Sequence, residues 1–123
     1  MNNPKKYEHF CVVRQEHLNQ YGSLFGGCLL STIDELAFVV CSQSYPGHNF
    51  LTRALQNVEF HAPAHLGDVL EIAGWIEQVG HTSCRVRVQV HICQSHNANR
   101  QLTFDGVVIM VCVGDDNVPV DID

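Results

Sequence analysis

One stretch of this chain is long and periodic enough to be a substantial helix, and everything after it alternates like strand. The stretch runs from Leu24 to Ser44. Ser23 stands where an N-cap would stand, and Pro46-Gly47 stops the helix. Before it lie a short strand, His9 to Arg14, and a polar loop, Gln15 to Ser23. After it the period changes to two. Leu51 to Phe60 reads as a strand bounded by Pro63, and Asp68 to Val79 as a second, opened by the turn at Leu66-Gly67-Asp68. Thr82 to Cys93 shows the clearest alternation: Cys84, Val86, Val88, Val90 and Ile92 point one way, and Ser83, Arg85, Arg87, Gln89 and His91 the other. Val79-Gly80-His81 makes a tight connection between those two strands, a hairpin. Ser95 to Arg100 reads as a loop and Leu102 to Val113 as the last strand. A single helix, apolar over most of its circumference, followed by an antiparallel meander needs the sheet to cover it. The economical answer is an α+β architecture, a curved antiparallel sheet wrapped around one long central helix.

The 123 residues fit one domain, and 46% hydrophobic content is enough for a real core. A domain of this size gains from burying further surface in an oligomer. The net charge of −6 argues against a nucleic-acid binder, which would carry a clustered basic face. Cys11, Cys28, Cys41, Cys84, Cys93 and Cys112 include no C-x-x-C pair, so zinc-ribbon and thioredoxin-like sites lack their motif. Cys84, Cys93 and Cys112 lie in apolar runs, where cysteine acts as a small hydrophobe. Met1 to Tyr7 is polar with no apolar run behind it, and Leu24 to Cys41 is interrupted by Gly26, Gly27, Ser31, Thr32, Asp34 and Glu35. Neither pattern suits a signal peptide or a membrane span, so the expected compartment is the cytoplasm.

Placed at 100° per residue, Ser31, Glu35 and Ser42 share a solvent-facing polar stripe, while Leu29, Ile33, Leu36 and Val40 form the opposite apolar stripe. Asp34 belongs to neither; it lies on a flank with Gly27, Leu30, Phe38 and Cys41. A carboxylate there either bonds a neighbouring backbone group at the edge of the polar stripe or has a chemical task. At the helix start stands Phe25-Gly26-Gly27. Glycines there either allow tight packing of the helix end or let a ligand reach the free N–H groups, which can hold an oxyanion. No G-x-S-x-G elbow and no H-E-x-x-H occurs. His61 and His65 flank Pro63, so no regular helix presents both, and they read as surface histidines rather than as a metal pair.

Asn19-Gln20-Tyr21-Gly22-Ser23-Leu24-Phe25-Gly26-Gly27, with Asp34 nine residues after Phe25, resembles the hot-dog acyl-CoA thioesterases, closest to the YciA-like and cytosolic acyl-CoA hydrolase branch. The resemblance continues at Val58-Glu59-Phe60-His61-Ala62-Pro63, at Leu66-Gly67-Asp68, at Gly80-His81-Thr82-Ser83 and at Asp105, covering about residues 10 to 114. It implies the hot-dog fold and hydrolysis of acyl-CoA to a carboxylic acid and CoA, without a cofactor or metal. By the same resemblance Asp34 is the general base or nucleophile. Asn19 is a supporting polar group, the Gly26 N–H polarises the thioester carbonyl beside Phe25 and Gly27, and Gly80, His81, Thr82 and Ser83 contact CoA. For the CoA phosphates Arg53, Arg85, Arg87 and Arg100 are the cations near the strands, with Arg53 and Arg85 the first candidates; ordinary solvated surface is the competing reading. The chain departs from many relatives at His61-Ala62, where they carry Leu or Arg after the Phe. Phe25 occupies the helix-start position that holds His in many hot-dog hydratases and dehydratases, which disfavours that activity. A non-catalytic acyl-CoA or fatty-acid binding module would be marked by loss of the Asp, which this chain retains.

Gly26 and Asp34 are eight residues apart, roughly 12 Å along one helix. A carboxylate cannot easily serve a carbonyl bound at the start of its own helix. A two-fold dimer, with Gly26 of one chain facing Asp34 of the other, resolves the distance and creates two equivalent sites. The expected assembly is a homodimer at minimum, within a tetramer or hexamer.

Overall fold

A computed structural model describes residues 4–93 and 99–122. Five strands and one long helix run in the order β1 (Tyr7–Val12), α1 (Gly26–Ser44), β2 (Asn49–Phe60), β3 (Val69–Val79), β4 (Ser83–Cys93) and β5 (Arg100–Val113), with short 3₁₀ turns at Gln15–His17 and Asp115–Asn117. The strands form one antiparallel sheet in the order β1-β3-β4-β5-β2, and α1 packs across it, touching every strand. This is the hot-dog arrangement. Among the described residues no helix is long and apolar enough to cross a membrane.

The alternation of β4 is the hinge of the fold. Cys84, Val86, Val88 and Val90 are fully buried beneath α1, facing the buried helix residues Leu29, Ile33, Leu36, Ala37, Val40 and Cys41. Burying apolar side chains of this size stabilises the chain by about 1.5–3 kcal/mol each before entropy is counted. The helix stripes fall where the 3.6-residue period puts them, with Ser31 and Glu35 exposed. The far side of α1 is not covered by this chain: Phe38 and Val39 remain 47% and 37% exposed.

Several boundaries differ from the sequence reading, β2 among them, which begins at Asn49 and not Leu51. The helix begins at Gly26, not Leu24, and Ser23 is not its cap; Phe25 holds the N-cap position with no side-chain cap bond. Tertiary pairing keeps the preceding residues extended, because Ser23 bridges to His65, Leu24 N–H donates to the Ala64 carbonyl at 2.8 Å, and Phe25 N–H donates to that of His17 at 2.8 Å. Strand β1 runs two residues earlier than expected, its register on β3 set by Cys11 opposite Leu70. Arg100 opens β5 rather than closing a loop; residues 94–98, the rest of that expected loop, lie outside the described residues. Arg100 also reaches Glu71 at 2.8 Å and Cys93 Sγ at 3.0 Å, so Cys93 ends on the outer face and is only half-buried.

Strand β2 is an edge strand and is bulged twice, at Arg53 and between Gln56 and Glu59, where Asn57 has φ 53°. On the outer face of the sheet Arg87 Nε and Nη2 donate to the two Asp105 oxygens at 2.7 and 2.8 Å. That hydrogen-bonded guanidinium holds the Asp105 carboxyl below its usual range. A carboxylate lowered by folding adds stability above its unfolded pKa, near 3.9, and loses it as pH falls through the folded value. Asp105→Asn is therefore expected to cost about 1 kcal/mol at neutral pH. In urea titrations the gap to wild type should close below about pH 4.

Candidate active site

Asp34 sits midway along α1 on the flank that looks toward β2. It is exposed in the single chain, and its Oδ1 accepts a hydrogen bond from the Thr52 hydroxyl of β2. A side chain from the sheet thus holds the carboxylate across the seam between helix and edge strand. Thr52 was not legible as a site residue. Its one sequence trace is a small polar residue two positions after buried Phe50, on the helix-facing alternation of β2; the bulge at Arg53 breaks the pattern immediately afterwards.

Asn19 and Gly26 line one cavity at the helix N-terminus, of about 390 Å³, together with Tyr21, Phe60, His61 and Thr103. Asn19 is held by its own loop. Its Oδ1 accepts from the N–H groups of Tyr21 and Ser23 at 2.9 and 3.1 Å, and its backbone N–H donates to Ser23 at 2.7 Å. Gly22 closes the turn at φ +82°, which a side chain would strain. The Asx turn occupies the carbonyl end of the carboxamide, while the amide end has two donors of its own.

The two helix-start glycines have different reasons to be there. A Cβ on Gly27 would come within 2.7 Å of the Phe25 ring, so packing accounts for Gly27. At Gly26 the nearest atom to a Cβ would be Phe60, at 3.6 Å, an ordinary contact. Packing within the chain therefore does not demand glycine at Gly26. Phe60 is fixed in turn by an edge-on contact with buried Phe104, ring centroids 5.4 Å apart.

The remaining sequence candidates are spread over the chain. Asp34 does not line the Gly26 cavity. The connection Gly80, His81, Thr82 and Ser83 lies at the other end of the sheet, where β4 begins opposite Val111 and where β2 starts after the C-terminus of α1. It is closed by Gly80 N–H on the Ser83 carbonyl at 2.7 Å, and the Ile122 N–H donates to the His81 carbonyl at 2.9 Å. Arg53 is exposed at the first β2 bulge. Arg85 projects from the outer face, where it donates to Gln56 at 2.8 Å, and Arg87 beside it is engaged with Asp105. Phe25 is 52% exposed at the helix start.

With this geometry the chain matches the thioesterase superfamily, over residues 21–97. It belongs to that superfamily. Among relatives, it is 27% identical over 108 residues to an uncharacterized acyl-CoA thioester hydrolase of Zymomonas mobilis, covering 88% of this chain and 72% of that protein. Among solved structures, it resembles an acyl-CoA hydrolase from Staphylococcus aureus in complex with butyryl coenzyme A, coenzyme A and coenzyme A disulfide. The TM-score is 0.88 at 26% identity, over 94% of this chain and 70% of that one. The same hydrolase has been solved with an asparagine, an aspartate or a threonine replaced by alanine. A hexameric acyl-CoA thioesterase is similar at TM-score 0.86 and 29% identity, over 94% of this chain and 74% of that one.

Proposed function

We propose that this chain hydrolyses acyl-CoA thioesters at sites shared between two protomers, with Asp34 from one and Asn19 and Gly26 from the other. One observation carries the reading: the carboxylate and the helix N-terminus occupy separate places on the same subunit, each incomplete alone. In support, the residue types altered in the Staphylococcus aureus hydrolase are those of Asn19, Asp34 and Thr52. The surface beside Asp34 has the character of a buried interface: Phe38 and Leu55 are 47% and 42% exposed, and β2 is a free edge. A two-fold axis beside β2 reverses chain direction, bringing the helix start of one protomer toward the middle of its partner's helix. The same reversal carries one protomer's 80–83 connection toward the other's Gly26 end, which suits a CoA contact there. Further assembly into a tetramer or hexamer is compatible with this unit.

In this arrangement the thioester carbonyl accepts the Gly26 N–H, whose helix dipole favours the developing negative charge. Asn19 offers its amide donors to the same oxygen or to the attacking water. The partner's Asp34, oriented by the partner's Thr52, takes a proton from the water that adds to the carbonyl and returns it to the departing CoA sulfur; if it attacks the carbonyl itself, CoA leaves as thiolate to be protonated by water, and water then hydrolyses the acyl-aspartate anhydride. His81, Thr82 and Ser83 line the CoA path, and Arg53, the exposed cation on the α1-facing edge strand, suits the CoA phosphates better than Arg85 does. The expected compartment is the cytoplasm, with neither nucleic acid nor membrane as partner. The direct test measures free thiol released from purified protein over straight-chain acyl-CoAs from acetyl to palmitoyl. Turnover of at least one of them at 1 s⁻¹ or above, on the order of ordinary enzyme rates, is expected. No release above the uncatalysed rate from any of them would end the reading.

A further inference from the structure

Beneath the first turns of α1, on the side of β1, lies a second cavity of about 230 Å³. Its walls are Cys11 and Val13, Cys28 and Leu29 of α1, and Leu70 and Ile72 of β3. The inner surface is core: Val13, Leu29, Leu70 and Ile72 are all at most 4% exposed. This cavity and the one at Gly26 share Leu24 and Leu29, so those two side chains stand between them. The two sides differ in chemistry. The Gly26 side offers Asn19, His61 and Thr103, while the inner wall of the second cavity is aliphatic and thiol, with His17 beside Leu24. At its outer end the second cavity meets His9, Thr32 and Glu35, which it shares with an open, polar-rimmed groove along the seam between α1 and β1.

From this juxtaposition we infer that the cavity at Cys11, Cys28 and Ile72 receives the acyl chain of the substrate, and that its volume limits efficient substrates to medium length, about ten carbons. This rests on the reading of Gly26 as the carbonyl anchor. A chain leaving a carbonyl at Gly26 passes Leu24 and Leu29 and lies against the apolar inner wall of Val13, Leu29, Leu70 and Ile72. An apolar cavity of 150 Å³ holds benzene, about 25 Å³ per heavy atom. On that scale 230 Å³ holds about nine atoms beyond the carbonyl carbon. Each methylene buried on the way improves binding about fourfold. Past about ten carbons the chain end reaches His9, Glu35 and solvent, and the gain stops.

Straight-chain acyl-CoAs should therefore show kcat/KM rising from butanoyl to decanoyl and no further rise at dodecanoyl and beyond. Cys28→Phe places a ring in the cavity and should lower the decanoyl-to-butanoyl ratio of kcat/KM at least tenfold. Wild-type protein gives a second readout that does not depend on that variant folding. Alkylation of individual cysteines by N-ethylmaleimide, followed by peptide mass spectrometry, is compared with saturating S-decyl-CoA and S-ethyl-CoA, thioethers that cannot be hydrolysed. The decyl compound should slow labelling of Cys28 and Cys11 at least fivefold and the ethyl compound should not. Cys93, on the outer face, reacts equally in both. If acyl-CoAs are hydrolysed and both thioethers compete, but neither the ratio nor the labelling depends on chain length, the cavity is not the acyl site while the hydrolase reading stands. If no acyl-CoA is hydrolysed and neither thioether binds, both fall together.

Discussion

Asp34→Ala is expected to fold and assemble as wild type and to lose turnover by 100-fold or more, the scale on which a positioned acid or base contributes. The loss should fall on kcat for every acyl-CoA, because in the proposed mechanism the carboxylate acts on the reacting bond and not on the chain. Two neighbours calibrate the result. Thr52→Val removes the hydroxyl that holds Asp34, a hydrogen bond to a charged group worth roughly 1.5–3 kcal/mol, or about 10- to 100-fold. Thr52→Ser should restore most of the rate. Asn19→Ala should lose less than Asp34→Ala, and it also breaks the Asx turn made with Tyr21 and Ser23. Circular dichroism and thermal melting separate that structural cost from a catalytic one. An Asp34→Ala protein that keeps near wild-type kcat on its best substrate removes the carboxylate from the mechanism.

The second large effect is complementation between dead proteins. Gly26→Val sets a branched side chain over the approach to the helix N–H, with its Cβ at ordinary contact with Phe60, 3.6 Å, and leaves Asp34 untouched. Asp34→Ala does the reverse. Each homodimer should be inactive. Mixed by unfolding and refolding, the two should recover about one quarter of wild-type activity. Random pairing makes about half the dimers mixed, and each mixed dimer has one intact site and one carrying both defects. The parents must fold and dimerise, and wild type must survive the same treatment. Verified heterodimers that remain inactive would place Gly26 and Asp34 of one subunit in the same site, against their separation along α1.

The fold was legible because its physics is periodic. β4 alternates without a break, so its buried face could be read directly, and the 3.6-residue stripe of α1 named four of its six buried residues. What escaped was non-periodic. Ser23 looked like a cap, but its backbone is engaged by strand-like bridging from residues far along the chain, and no local preference reports that. Thr52 was hidden because its meaning depends on a carboxylate 18 positions earlier and on a bulge that re-phases β2. Arg85, a candidate for the CoA phosphates, stands on the outer face, where the alternation of β4 already put it. Gly26 and Gly27 were alike in sequence, and only the position of the Phe25 ring tells them apart.

The two bulges of β2 bear on what can add to this edge. A free edge of twelve residues, flanked by exposed Leu51 and Leu55, would otherwise be a template on which any extended chain could add. Kinks at Arg53 and Asn57 interrupt the regular row of donors and acceptors. An arbitrary strand finds no continuous register there, whereas a second copy of the same kinked edge, turned by a two-fold axis, meets its own shape. Pairing of that kind closes after two subunits and leaves only the six-residue β1 edges outward. In the proposed dimer, the irregularity that obscured Thr52 in the sequence thus also favours self-limiting association over fibre growth.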